Sequence, residues 1–163
     1  MTEPLLHVEH LSKEFPVDSS VFSKEKKSVK AVDDISFDIF PGETFGLVGE
    51  SGCGKSTTGR CIMRLTHPTG GKVLFNGEDV SAMHKKDLKR MRHDMQFIFQ
   101  DPYASLNPRM TIGEIVSEPL VIHGEMPDKT ERMNYVRELL DVVGLNPEHA
   151  NRYPHEFSGG QRQ

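Results

Sequence analysis

Between residues 49 and 56 the chain reads Gly-Glu-Ser-Gly-Cys-Gly-Lys-Ser. Glycines, a cation and a hydroxyl in that order suit the capture of a polyanion. A chain of phosphates needs many N–H donors converging on one hollow. Glycines let the backbone wrap that closely, and a helix starting just beyond them aims unpaired amides and a positive dipole end at the anion. In the pattern G-x-x-x-x-G-K-[ST], Lys55 reaches the β- and γ-phosphates as a point charge and the Ser56 hydroxyl ligates Mg²⁺. The pattern arises by chance in roughly one chain of this length in a hundred, so a decorative glycine turn is the weaker reading. Gly49, Ser51, Gly52, Cys53 and Gly54, with Lys55, Ser56 and Thr57 at the helix start, form the expected nucleotide-binding set.

Such a loop works only if flanking elements hold it. Thr44-Phe45-Gly46-Leu47-Val48 has the composition of a strand entering the loop, and residues 55–65 that of the helix leaving it, stopped by His67-Pro68-Thr69-Gly70-Gly71. Upstream, Leu5 to Leu11 is apolar enough for a strand without a clean alternation, residues 16–29 have loop composition, and Ala31 to Ile39 alternates. Pro41-Gly42 ends that strand as a turn. Downstream, Lys72 to Phe75 is a short strand closed by the hairpin-type turn Asn76-Gly77. Ser81 is placed to cap a basic helix through about Arg92, and Met95 to Phe99 reads as another strand. From there the pattern turns helical. Thr111-Ile112-Gly113-Glu114 and Asp128-Lys129-Thr130-Glu131 have capping-box spacing. Met133, Val136, Leu139, Leu140 and Val143 form an apolar stripe ended by Gly144. A β-rich part of about 100 residues thus leads into a helical part of about 60.

At 163 residues the chain can hold one domain with a real core, or one domain and part of another. Its 36% hydrophobic and 27% charged residues are ordinary for a soluble protein. No apolar run is long enough to span a bilayer, and the start lacks the pattern of a secretory signal. Two cysteines, one inside the phosphate loop, fit a reduced setting rather than a disulfide framework. A net charge of −4 argues against a general nucleic-acid binder. The cluster Lys24-Glu25-Lys26-Lys27 reads as a solvated loop. His84, His93, His123 and His149 lack metal-ligand spacing and Met91 and Met133 sit at core-like positions, so structural roles are expected for all six.

Two further stretches carry chemistry. Gln100 ends the run Phe97-Ile98-Phe99, a position that by itself suits a surface residue. Ser158-Gly159-Gly160-Gln161 offers a hydroxyl and backbone amides at a second helix start, although alone it reads as a flexible turn. In the order phosphate loop, Gln100, Ser158-Gly159-Gly160-Gln161, the chain resembles the nucleotide-binding domain of ATP-binding-cassette (ABC) transporters over essentially its whole length. Within that family it is most similar to the ATPase subunits of bacterial dipeptide and oligopeptide importers. Residues 48–57, 99–109 and 152–161 carry that similarity, with the loop between Phe15 and Lys30 as an insertion common in the subgroup.

The resemblance implies an α/β P-loop NTPase core of ABC type with an antiparallel β subdomain in residues 1–102, and the start of a helical subdomain in residues 103–163. It implies ATP and Mg²⁺ as ligands. Gln100 matches the residue that contacts Mg²⁺ and the attacking water and senses the permease. Ser158, Gly159, Gly160 and Gln161 match the signature that closes on ATP held by a partner subunit, with Phe157 where the family usually has Leu, a position chiefly of packing. Lys55, Gln100 and Ser158 are the expected catalytic contributors. Phe15 matches the aromatic residue that stacks on adenine; the residues alone equally allow a Phe packing a strand end.

The implied function is the ATP-hydrolysing subunit of an importer for di- or oligopeptides, acting as a head-to-tail dimer of ATPase subunits. It would sit peripherally on the cytoplasmic face of a bacterial inner membrane, with transmembrane permeases and, indirectly, an extracytoplasmic peptide-binding protein as partners. Nickel or glutathione is the alternative cargo, and a truncated, non-catalytic nucleotide-binding fragment the alternative of another class. A soluble cassette acting on DNA or ribosomes is disfavoured by the subgroup phrases and the acidic balance. The family's strand-borne Asp-Glu pair (Walker B) and its later switch His have no counterpart here. The resemblance therefore implies the N-terminal part of a longer protein, inactive in hydrolysis by itself.

Overall fold

The computed structural model describes residues 3–17, 27–101 and 105–162. The chain divides into two units, Met1–Phe97 and Ile98–Gln163, each with its own hydrophobic core.

The first unit is built on a four-stranded sheet of order β2-β1-β3-β4, from β1 (Leu6–Val17), β2 (Lys27–Ile39), β3 (Gly70–Phe75) and β4 (Glu78–Asp79). Every pairing is antiparallel. The imperfect alternation of β1 has a structural cause. Leu6, Val8 and Leu11 are all buried, although strict pleating would turn Leu11 to the other face. The register shifts between Val8 and Leu11, where His10 on β1 and Asp34 on β2 both take φ of 50°. An irregularity of this kind inserts a residue and restores the inward face. Asn76 and Gly77, with φ of 49° and 79°, make the turn joining β3 to β4, the left-handed pair that a tight hairpin requires.

Helices α1 (Lys55–Ile62) and α2 (Lys85–Asp94) contribute Cys61, Leu88 and Met91 to a core shared with Leu6, Val8, Leu11, Val32, Val73, Phe75 and Val80. Several sequence expectations need correction. The loop expected over residues 16–29 is shorter, because the β1–β2 ladder continues to Val17 opposite Lys27; backbone pairing sustains it although Val17 and Val29 are exposed. Lys24 and its acidic and basic neighbours 25 and 26 lie outside the described residues. Helix α2 starts at Lys85 rather than Ser81, whose amide instead donates to Asp79 Oδ1 at 2.8 Å in a local turn. Helix α1 ends at Ile62, three residues early, because the amides of Leu65 and Thr66 turn back to the Arg60 carbonyl. Neither Thr44–Val48 nor Met95–Phe99 forms a strand. Their composition suits parallel strands covered on both faces, yet no described segment pairs with either, and Val48 is 89% exposed.

In the second unit, α3 (Ile112–His123) and α4 (Lys129–Val142) pack with two short 3₁₀ turns, Pro147–Asn151 and Pro154–Glu156, before α5 (Gly159–Arg162). The core is Ile112, Val136, Leu140, Ala150 and Phe157, with Met133, Val116, Leu106 and Leu145 at its margin. Of the expected α4 stripe, Val136 and Leu140 are buried, whereas Val143 is 70% exposed beyond the end of the helix. Thr111 and Glu114 close a full capping box. At the second predicted box, Asp128 accepts from the Glu131 amide at 2.8 Å, the forward half of the motif. A Cβ on Gly113 would stand 2.9 Å from the Ala150 carbonyl oxygen, so α3 meets the first 3₁₀ turn where the backbone leaves room for glycine.

Candidate functional site

The loop from Gly49 to Gly54 passes directly into α1. Gly54 has φ of 98°, a left-handed value that disfavours a side chain, and a Cβ there would run into the Ala31 carbonyl oxygen of β2. Glycine is thus required twice over, and the loop is held against the sheet by backbone packing. Thr58, buried on α1, donates both its amide (2.8 Å) and its hydroxyl (3.1 Å) to the Gly54 carbonyl. No side chain caps α1, and its first turn holds no acidic residue. The opening amides of a helix lack intrahelical acceptors, so here they and the positive dipole end are left for an external anion.

Lys55 already reaches into the loop. Its Nζ donates to the carbonyls of Gly49 (2.7 Å) and Glu50 (2.6 Å) and lies 3.5 Å from Cys53 Sγ. An ammonium carries three donors on a flexible stem, so phosphate oxygens can take over these bonds by a swing of the side chain. Ser56 follows Lys55 in the first turn of α1 and is exposed. A glycine backbone packed on the sheet, an uncapped helix start and a lysine followed by an exposed serine together fit a Mg²⁺–nucleotide. Ser56 would hold the metal, whose charge would offset that of the phosphate oxygens.

The far end of α1 is fixed by residues that motif reading did not find. Arg92 Nη2 on α2 donates to the carbonyls of Met63 (3.4 Å) and Arg64 (3.1 Å), satisfying the C-terminal end of the helix. Arg64 Nη1 in turn holds the carbonyls of Val80 (3.0 Å) and Met83 (2.6 Å). Both contacts span distant segments, and the basic last turn of α2 is their sole trace in the sequence. Burial pushes the Cys61 thiol of α1 up, and the charge of Lys13 on β1 opposes that shift.

The expected signature residues gather in the second unit. The Ser158 amide donates to Gln161 Oε1 (2.9 Å), and the Gln161 amide donates to Ser158 Oγ (3.4 Å). The serine and glutamine therefore cap α5 reciprocally, a capping box in the sense of Ser-x-x-Gln. Phe157 is buried, edge-on to His149 at 5.3 Å, which gives the non-leucine residue at this place a packing role. Ser158 and Gln161 are exposed, as is Gln100 before the undescribed residues 102–104. Phe15 is exposed at 42% on the outer half of β1, and Lys13 Nζ lies over its ring, 4.8 Å from the centroid. Among the described residues no helix is long and apolar enough to cross a membrane, and no His/Cys/Asp/Glu group could hold a metal ion.

A family model described as ABC transporter matches residues 32–163. The oligopeptide transport ATP-binding protein OppF of Bacillus subtilis is 60% identical over 164 residues, covering 100% of this chain and 52% of that protein. The glutathione import ATP-binding protein GsiA of Escherichia coli O157:H7 is 54% identical over 99% of this chain and 26% of its own length. The chain thus spans about half of the first of these relatives and about a quarter of the second. Among solved structures, a dimeric ATP-binding cassette in a post-hydrolysis state, bound to ADP and Pi, superposes with a TM-score of 0.78 at 28% identity, covering 96% of this chain and 65% of that one.

Proposed function

This chain belongs to the ABC transporter family, and from that premise we propose that it is the ATP-binding and ATP-hydrolysing part of an importer for di- and oligopeptides. The observation that carries the nucleotide reading is the Gly49–Ser56 loop feeding an uncapped α1, with Lys55 reaching across its hollow. The loop amides and Lys55 clamp the phosphates, and Ser56 would hold Mg²⁺. The resemblance would give Gln100 a contact with Mg²⁺ and with the attacking water. Catalysis of phosphoryl transfer rests mainly on such positioning and electrostatics. Ser158 and its glycines, held open to solvent by the cap with Gln161, close on nucleotide bound by a second ATPase subunit placed head-to-tail. The dimeric state of the solved cassette supports this arrangement. The protein works peripherally at the cytoplasmic face of the membrane, driving permease subunits that receive cargo from an extracytoplasmic binding protein.

Peptide cargo is supported by 60% identity to an oligopeptide transport protein, and the 54% identity to a glutathione import protein keeps glutathione as the second reading. The test is uptake in cells whose own copy carries Lys55→Ala. Labelled tripeptide uptake should fall to background, with glutathione and nickel uptake unchanged. Loss of glutathione or nickel uptake alone replaces the peptide reading, and unchanged uptake of all three rejects an importer.

A further inference from the structure

We propose that Lys13 is a positioning residue for the nucleotide base, acting through the ring of Phe15. The inference rests on the reading of Phe15 as the residue on which the base stacks. It begins from an anomaly of place. Phe15 lies on the outer half of β1, opposite Val29, which is itself 57% exposed. No core closes around the ring there. What lies against it is a cation: Lys13 Nζ, 4.8 Å from the ring centroid, within the range of a cation–π contact.

Lys13 is well placed for that task. It sits two residues before Phe15 and opposite Val32 in the β1–β2 ladder. Val32 is buried beside the phosphate loop, since a Cβ on Gly54 would come within 3.6 Å of its Cγ2. The charge of Lys13 is also felt by Cys61 on α1. The ammonium thus lies over the aromatic platform, on a residue paired with the strand that backs the phosphate loop. Two effects follow. The cation restricts the ring before any ligand arrives, so less side-chain freedom is lost when a base lands. It also draws electron density toward its own face, leaving the opposite face suited to stacking an electron-rich purine.

The decisive experiment measures equilibrium binding of Mg·ATP and of inorganic tripolyphosphate, which has no base, to the purified protein and its variants. Lys13→Met should weaken ATP binding about two- to five-fold, the worth of an exposed cation–π contact, and leave tripolyphosphate binding unchanged. Lys13→Arg should restore wild-type affinity. In a Phe15→Ala background, Lys13→Met should cause no further loss. Equal weakening of ATP and tripolyphosphate would show that Lys13 acts merely as a nearby charge and overturn the proposal. So would full ATP affinity in Lys13→Met while Phe15→Ala binds more weakly. If Phe15→Ala itself binds ATP normally, the stacking reading of Phe15 fails first and this inference with it, while retained tripolyphosphate binding shows the phosphate loop intact.

Discussion

His10 and Asp34 face each other across β1 and β2, both in left-handed backbone. His10 Nδ1 meets Asp34 Oδ1 at 2.6 Å, while the amides of His10 and Asp34 donate to Ser36 Oγ and Ser12 Oγ. Two hydroxyls and an ion pair thus absorb the groups that the shifted ladder leaves over. The hydrogen bond to Asp34, and then its charge, raise the His10 pKa above its ordinary 6.5. A histidine whose folded pKa is raised stabilises the fold in its protonated form. That contribution is whole below about pH 6.5 and is lost as pH rises through the raised value. Asp34→Asn should return the His10 midpoint, followed by NMR of the imidazole protons, toward 6.5 and remove its share of the pH dependence of unfolding. A midpoint unmoved by the substitution would contradict this account of the irregular ladder. Nothing in Leu5–Leu11 foretold the pair except the broken alternation, whose cause lies 24 residues away.

At the scale of elements, the caps expected at Thr111 and Asp128 form, whereas two of the five expected strands do not. Thr111 and Glu114 were legible as a capping box because that motif is local, and the structure closes it at 3.3 and 2.8 Å. Bonding to Thr111, its backbone amide above all, holds the Glu114 carboxyl below its usual range. That contribution is present above about pH 4.5 and fades as pH falls through the lowered value. Thr111→Ala should cost about 0.5–2 kcal/mol, read as a lower denaturation midpoint by circular dichroism with an unchanged m-value; an unaltered midpoint would deny the cap its role. The phosphate loop was legible for the same reason, since its glycines, lysine and serine are consecutive. Thr44–Val48 and Met95–Phe99 were misread because a strand of a parallel sheet exists only through its neighbours, and apolar composition records the wish for neighbours rather than their presence. Arg92 and Thr58, which hold α1 at its two ends, escaped notice because a guanidinium on a distant helix and a buried threonine carry no motif.

Taken whole, the first unit holds a phosphate cradle and an aromatic residue on one sheet, and the second presents a capped Ser-Gly-Gly-Gln turn to solvent. In the proposed head-to-tail pair each supplies one side of a nucleotide site shared by two subunits. The claim on which everything else rests is that the loop before α1 holds phosphates and that Lys55 supplies the charge. Equilibrium binding of a labelled ATP analogue to the purified protein and to Lys55→Ala tests it most directly. The lysine makes its bonds to loop carbonyls with its side chain alone, so the substitution leaves the glycine backbone and α1 in place. Loss of a charge-assisted contact of about 1.5–3 kcal/mol should weaken binding roughly 10- to 100-fold. An affinity equal to that of the wild type would mean that the nucleotide, if it binds at all, binds elsewhere.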